Sequence, residues 1–303
     1  MIAGAHEEPG RSASWGRQLQ LGPIALTLPA TLALLLFFVA PLAAFFVYSF
    51  LTAGFYSVTG PLTLEAYQDA VTSDVNRTLA VNSFVVGICV AAVTLAISLP
   101  IAYWLRYAAG RWQIPVLFLI TTTLFASYLV RIYAWRTILG ENGLLNSGLE
   151  RIGLINEPLG FILFNRFSVT VALVHIFLPY VVLVLYAGFR PISPALLEAA
   201  QDLGANALLR WVRVVLPLIA APAATAFLFV FILSAGDYVT PQFLGGTNGV
   251  LLGVRIQTAL TSVGNWPLGA ALSFLMLAAF AVCFAITALG LRLLKLDRIR
   301  FAN

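Results

Sequence analysis

The sequence predicts an all-α protein that crosses a membrane six times, and three observations lead to that fold class. Apolar side chains make up 61% of the 303 residues and charged ones only 10%, with a mean hydropathy of +0.95. Soluble domains carry about 25% charged residues, so lipid must be the solvent for most of this chain. Six apolar stretches reach the length of about 20 residues that crosses the hydrocarbon core as a helix. The basic residues collect on one side of the resulting six-span arrangement.

The six predicted spans follow one another with short connections. They lie approximately at residues 24–50, 79–106, 114–139, 168–189, 215–236 and 267–292. Pro23, Pro115 and Pro267 fall near the starts of three spans, where a missing backbone N–H does little harm. The first stretch is longer than the apolar core of a signal peptide, which has about 7 to 15 residues, so we expect a retained helix.

The distribution of basic residues orients the spans. With the N-terminus in the cytoplasm, most of the 17 lysine and arginine residues lie on the cytoplasmic side. Those expected outside are Arg77, Arg151, Arg166 and Arg255, and those within the third span are Arg131 and Arg136. This asymmetry follows the positive-inside rule, so both termini are expected in the cytoplasm. The same rule accounts for the net charge of +5, which therefore does not indicate a nucleic-acid partner.

Several kinds of active site are not expected. Lys295, the single lysine, is not part of a Gly-Lys-Ser/Thr phosphate-binding loop, so any ATP must be bound by another polypeptide. Cys89 and Cys283 lie far apart in apolar runs and are interpreted as buried small side chains. His175 is interpreted as a core histidine, and with His6 as its only companion we expect no metal site, cofactor or catalytic triad.

The predicted inner loop between spans four and five carries most of the polar information. Ser193 is placed to cap a helix that starts at Pro194, and Gly204 stands where a helix end needs a left-handed residue. We therefore expect a short cytoplasmic helix at 194–204. Its apolar residues recur at i, i+3, i+4 and i+7, with small side chains at the centre: Leu196, Ala199, Ala200 and Leu203.

Two surfaces are candidates to receive this helix. Short amphipathic helices often lie in the membrane interface, but those usually carry bulky apolar residues and many basic ones. This helix has alanines at the contact, with Glu198 and Asp202 beside them. That pattern favours docking against a protein, with docking against lipid as the alternative.

The spacing of the loop resembles a known motif. Glu198-Ala199-Ala200, then Gly204, then Leu216-Pro217 is similar to the EAA loop of permease subunits in binding-protein-dependent ABC importers, with Val214 where isoleucine is usual. The resemblance implies the type I ABC importer permease fold, in which this loop is the coupling helix seated on an ATPase subunit. The residues that it implies for coupling are Glu198, Ala199, Ala200, Asp202, Gly204, Leu216 and Pro217.

The resemblance also implies a domain organisation and partners. It divides the chain into a cytoplasmic tail (1–23), a first transmembrane helix with an outer loop (24–78), a five-helix transmembrane domain containing the coupling helix (79–292) and a second cytoplasmic tail (293–303). The implied partners are a second permease subunit, expected as a different chain, two ATPase subunits and a periplasmic or extracellular substrate-binding protein. The implied location is the bacterial inner, or plasma, membrane, surrounded by lipid.

Three further segments resemble one subgroup of these importers. Residues 129–135, 236–246 and 265–271 are similar to the first permease of polyamine (spermidine/putrescine) importers. Permeases for ferric iron, aminoethylphosphonate and opine-like compounds share parts of these segments. The resemblance therefore implies import of polyamines, with these other substrates as alternatives.

Charged and aromatic residues near the membrane core are candidates for the substrate pathway. Charges within a span are costly and typically face a water-filled cavity, which draws attention to Arg131. Asp237 ends the fifth span, and a cationic substrate favours a carboxylate beside aromatic faces, here Tyr128, Trp135 and Tyr238. The alternative is an internal ion pair between Asp237 and Arg131.

Two other functional classes fit the sequence less well. Ion-coupled secondary transporters generally need intramembrane acidic residues or broken helices, and the six predicted span cores contain no Asp or Glu. An intramembrane enzyme needs a carboxylate pair, a nucleophile with its base, or a histidine cluster, and the sequence has no such constellation.

Overall fold

The structure, a computed structural model, describes residues 23–54, 57–160 and 162–294. Over these ranges the chain is helical apart from one short hairpin and its connections, as the all-α fold class predicts. Most of the two predicted cytoplasmic tails, 1–23 and 293–303, lies outside the described residues, including His6 and Lys295.

The chain divides into two compact units, residues 1–47 and 48–303. The described part of the first unit is one helix. Its consecutive segments are α1 (Pro23–Leu34), a π-helical turn (Leu35–Val39) and α2 (Ala40–Tyr48). The stretch Thr27–Tyr48 is long and apolar enough to cross a membrane, so the first predicted span, 24–50, is confirmed.

The second unit begins with small elements before its first long helix. These are the antiparallel strands β1 (Thr52–Gly54) and β2 (Ser57–Thr59), then α3 (Glu65–Thr72) and α4 (Asp74–Tyr107). Ala53 lies opposite Val58 in the hairpin. With 34 residues, α4 contains the whole of the second predicted span, 79–106.

The third predicted span, 114–139, is wrong as a single helix. It consists of α5 (Gln113–Thr123) and α6 (Tyr128–Leu139). A 3-10 turn (Gly110–Trp112) precedes α5, and α7 (Leu144–Arg151) follows α6. The two halves of this broken span are bent by 94° relative to each other.

Three consecutive threonines account for the break. The hydroxyls of Thr121, Thr122 and Thr123 donate to carbonyl groups of the preceding turn at 2.6 to 2.8 Å. The next three amides donate to the carbonyl three residues back, at 3.1 to 3.2 Å, which is the pattern of a 3-10 turn. The α-helix ends there. β-branched residues with competing hydroxyls weaken a helix, but they barely change its hydropathy, so the apolar stretch continues across the break.

The remaining helices complete the second unit. They are α8 (Arg166–Phe189), α9 (Pro194–Asp202), α10 (Ala207–Arg210), a π-helical turn (Trp211–Val215), α11 (Leu216–Ala235), α12 (Val239–Leu244), α13 (Leu252–Thr261) and α14 (Trp266–Leu293). The spans predicted at 168–189 and 267–292 are confirmed by α8 and α14. The helix that contains the fifth span begins earlier than the predicted 215, because α10, the π-helical turn and α11 form one continuous helix from Ala207. The connection between the fifth and sixth predicted spans contains α12 and α13.

The core of the second unit lies among α4, α8 and α11. Half of the apolar window of α8 is buried, against 6% of that of α14, so α8 is central. Small residues let these helices approach closely. A Cβ atom added at Gly87 would lie 2.9 Å from the Cβ of Ala235, and one added at Gly188 would lie 2.8 Å from the Cβ of Pro222.

Of three side chains interpreted as buried, two are exposed and one is half-buried. Cys89 lies on the outward face of α4, with Val85 and Val93 one turn away, and Cys283 is half-buried. His175 is exposed on α8. A segment that is apolar on all sides does not indicate which of its faces is buried. The hydrophobic pattern therefore could not predict the burial of these three side chains.

Candidate functional site

The predicted helix in the loop between α8 and α11 is present as α9. Its start is fixed by Ser193, whose hydroxyl oxygen accepts a hydrogen bond from the Leu196 amide at 3.3 Å, and by Pro194 in the first turn. Its end is fixed by Gly204, which has a φ of +82° and donates to the carbonyl of Gln201 at 2.8 Å. A left-handed glycine just past a helix end lets the following amides reach back to the last carbonyls.

One face of α9 anchors the helix and the opposite face is free. Leu197 is buried, with 8% of its surface exposed, although the pattern did not single it out. Most of the predicted apolar stripe points away from the subunit: Leu196 and Ala199 are exposed and Leu203 has 89% of its surface exposed, whereas Ala200 is half-buried. The subunit therefore presents small and apolar side chains on a surface that it does not cover itself.

The two carboxylates beside this stripe form no ion pair with a described residue. Glu198 and Asp202 are exposed, and the ion pair found among the described residues, Arg77 with Asp74, lies elsewhere. Exposed carboxylates beside a small apolar stripe fit a partner surface that supplies basic groups around a close contact.

Aromatic residues attach the loop to the core. Ile192 is buried, and its carbonyl oxygen accepts a hydrogen bond from the Tyr107 hydroxyl at 3.0 Å. The ring of Tyr103 packs against the rings of Tyr107 and Trp211 at centroid distances of 4.8 and 4.9 Å, and Phe189 meets all three edge-on. The ends of α4 and α8 and the π-helical turn are thus held together where α9 leaves the core.

The loop continues without interruption into α11. The Arg210 guanidinium donates to the side-chain oxygen of Gln201 at 3.0 Å, and Asn206 caps α10. Leu216 and Pro217 form the first turn of α11, directly after the π-helical turn. The loop thus connects α9 to one helix that runs from Ala207 to Ala235.

At the far end of α11, the side chain of Asp237 caps α12. One carboxylate oxygen accepts from the amide of Val239 at 3.0 Å, and the other accepts from the amide of Thr240 at 3.2 Å. That second oxygen also accepts from the Tyr128 hydroxyl at 2.9 Å, which lies 2.8 Å from the hydroxyl of the fully buried Thr240. Asp237 and Tyr128 were both predicted at the site, whereas Thr240 was missed, although its spacing after Asp237 is that of a capping pair.

The alternative ion pair between Arg131 and Asp237 is not formed. The Arg131 guanidinium donates instead to the carbonyl of Ala126 at 2.7 Å and to that of Ile176 at 3.3 Å. The Ala126 carbonyl is free because the helix breaks there and restarts at Tyr128, and a freed carbonyl within a span needs a donor. Arg131 thereby ties the break in the third span to α8.

The other two predicted pathway residues lie apart from this cluster. The ring of Trp135 meets that of His175 edge-on at 5.6 Å between centroids. Tyr238, with 45% of its surface exposed, lines a cavity of about 480 Å³ with residues of α13 and α14, among them Gln257 and Phe280. Of the five predicted residues, Tyr128 and Asp237 are hydrogen-bonded to each other, whereas Arg131, Trp135 and Tyr238 lie at three separate positions.

Comparison with known proteins gives consistent matches. The model of the family described as binding-protein-dependent transport system inner membrane component matches residues 78–297. The chain is similar to the spermidine/putrescine transport system permease protein PotB of Haemophilus influenzae, with 32% identity over 74% of this chain and 78% of that protein. It is also similar to PotB of Escherichia coli, with 32% identity over 59% of this chain and 65% of that protein, and to the inner membrane ABC transporter permease protein YdcU of the same organism, with 28% identity over 76% of each.

Solved structures share the fold. A bacterial ABC transporter involved in the import of the acidic polysaccharide alginate superposes with a TM-score of 0.74 at 16% identity, over 91% of this chain and 95% of that chain. The alginate transporter in complex with its alginate-bound periplasmic protein gives a TM-score of 0.65 at 17% identity, over 89% and 93% of the two chains.

Proposed function

Because the chain belongs to the family of binding-protein-dependent transport system inner membrane components, we propose that it forms half of the translocation pathway of an ATP-driven importer of polyamines. The chain is a permease subunit of an ABC importer in the inner membrane, and the resemblance inferred from the EAA loop is confirmed. As such a subunit it works with an ATPase and a periplasmic binding protein. A second, different permease chain and two ATPase subunits complete the proposed assembly, with both termini of this chain in the cytoplasm.

The exposed face of α9 is the observation that supports coupling to an ATPase. Its stripe of Ala199 and Leu203, flanked by Glu198 and Asp202, is held out from the core by the buried Leu197. Glu198, Ala199, Ala200 and Asp202 are proposed to contact the ATPase, Gly204 to form the turn, and Leu216 and Pro217 to start the helix that responds. When the ATPase subunits close, α9 moves, and α10 and α11 rock with it to change access to the pathway.

Polyamines are proposed as the substrate for two reasons. The PotB relatives, 32% identical, are spermidine/putrescine permeases. In addition, Asp237 and the aromatic rings of Tyr128, Trp135 and Tyr238 supply the carboxylate and π faces that ammonium groups favour. Arg131 is proposed to line the pathway beside the break in the third span. Aminoethylphosphonate, opine-like compounds and ferric iron remain the alternative substrates.

Reconstituted transport tests the proposal. The complete importer, purified with its ATPase and supplied with its binding protein in proteoliposomes, is expected to take up labelled spermidine or putrescine only with ATP. Deleting residues 194–204 should remove the ATPase from the purified complex. Uptake by this chain alone, driven by a proton or sodium gradient, would instead identify a secondary carrier. ATP-dependent uptake of another solute, with no polyamine uptake, would overturn the substrate and keep the permease.

A further inference from the structure

We propose that the Tyr128 hydroxyl is a positioning group that carries the movement of α11 to α6, the second half of the broken third span. This inference rests on the proposed function. Tyr128 is the first residue of α6, and Asp237 follows the end of α11 by two residues. The hydroxyl of Tyr128 joins them directly, through Asp237 at 2.9 Å and Thr240 at 2.8 Å.

The acceptor side of this joint is rigid. The Asp237 carboxylate is held by the amides of Val239 and Thr240, so it cannot turn away without uncapping α12. Thr240 is fully buried. Hydrogen bonds to a carboxylate are stronger than those between neutral groups. The joint therefore follows the end of α11 as that helix moves.

Besides this joint, the ring of Tyr133 packs against that of Phe243 on α12 at 5.4 Å between centroids, and two further contacts of α6 hold α8. Arg131 binds the carbonyl of Ile176, and Trp135 packs on His175, so both attach α6 to α8. Among the described residues no helical backbone hydrogen bond crosses the break before Tyr128, and only the Arg131 side chain spans it, by its bond to the Ala126 carbonyl, so α6 can change its angle to α5 about this point. With α8 as the pivot, the Tyr128 hydroxyl is the polar link through which α11 can tilt α6.

Tyr128→Phe in the complete reconstituted importer tests this role, because it removes the hydroxyl and keeps the ring. We expect ATP hydrolysis stimulated by the loaded binding protein to persist, while solute molecules taken up per ATP fall about five-fold, as for the loss of a hydrogen bond. Thr240→Val should act in the same direction, and the double variant should be no worse than Tyr128→Phe alone, since both remove one joint. Tyr133→Phe is the matched control, because that exposed tyrosine lies on the same helix and its hydroxyl has no partner among the described residues.

Three other outcomes for the Tyr128 variant would overturn the proposal. A raised KM for uptake with an unchanged ratio of uptake to ATP would make Tyr128 a substrate contact. A proportional loss of uptake, ATP hydrolysis and assembled complex would make the hydroxyl purely structural, and unchanged transport would leave it without a role. A wild-type complex with no ATP-dependent uptake contradicts the proposed function itself, which the variants do not address.

Discussion

The Tyr107 hydroxyl donates a hydrogen bond to the carbonyl of Ile192 at 3.0 Å, across 85 residues of sequence. It joins the last residue of α4 to the segment that leads into α9, so it anchors the loop that is proposed to meet the ATPase. Since Ile192 is buried, its carbonyl has no access to a replacement partner in water.

Removing that hydroxyl should loosen the loop. Tyr107→Phe keeps the ring packing on Tyr103 and deletes one hydrogen bond, which costs about 1 kcal/mol. We expect faster amide hydrogen exchange over residues 190–204 and lower uptake per assembled complex. Tyr103→Phe is the control, because the Tyr103 hydroxyl has no partner among the described residues. Equal exchange in the two variants would show that the rings alone hold the loop.

Backbone conformation at Gly204 should matter more than the volume of the side chain. At a φ of +82° an L-residue is disfavoured by about 1 to 2 kcal/mol, whereas no atom lies within 4 Å of an added Cβ. Gly204→Leu is therefore expected to reduce coupled uptake by about ten-fold through the turn at the end of α9. Gly204→Asn should retain most activity, because asparagine tolerates left-handed conformations. Equal losses in both variants would point to side-chain contacts with the partner.

Small side chains on the free face of α9 should be required for docking. Ala199→Leu adds bulk where another backbone is proposed to approach, so the ATPase should be lost from the purified complex while the permease remains folded. Ala207→Leu is the comparison, because Ala207 is also exposed but lies at the start of α10, outside the stripe. Retention of the ATPase by the Ala199 variant would argue that α9 docks through its carboxylates or in the membrane interface.

Neutralising Asp237 should reduce transport of a cation. Asp237→Asn removes the charge and keeps one oxygen that can accept from one of the two capping amides of α12, so we expect correct assembly with uptake at least about ten-fold lower at limiting substrate. Glu150→Gln, an exposed carboxylate on α7, should transport normally. Unchanged uptake in the Asp237 variant would remove this residue from the pathway and leave it a capping role alone.

Local sequence signals predicted the parts of this fold that depend on local interactions. The caps at Ser193 and Gly204 act within one turn of α9, and the apolar stretches of α8 and α14 have the length that their hydropathy indicates. The break at Ser127 was missed because three threonines end α5 through hydrogen bonds that hydropathy does not record.

Partners distant in sequence could not be assigned from patterns. Asp237 and Arg131 were candidates for an ion pair by charge, but each forms hydrogen bonds to nearby backbone groups instead. Asp237 is satisfied by two amides of α12, and Arg131 by the Ala126 carbonyl that the break sets free. The hydroxyl of Tyr128, 109 positions from Asp237, reaches it only because the broken span turns α6 toward the end of α11.

Close helix packing at Gly188 should be intolerant of even one methyl group. A Cβ there would lie 2.8 Å from the Cβ and 2.9 Å from the Cγ of Pro222, and a proline ring on α11 cannot rotate away. Gly188→Ala should therefore push α8 and α11 apart and destabilise the purified subunit by about 1 to 3 kcal/mol, seen as a lower Tm in detergent. Gly290→Ala on α14 has nothing within 4 Å of the new atom, so it should be neutral or stabilise by about 0.5 to 1 kcal/mol through helix propensity. Because the two changes are chemically identical, the difference in their Tm values measures the contact between α8 and α11. If the two variants melted together, these helices would have room to separate, and a tight core between the coupling loop and the cluster at Asp237 would be ruled out.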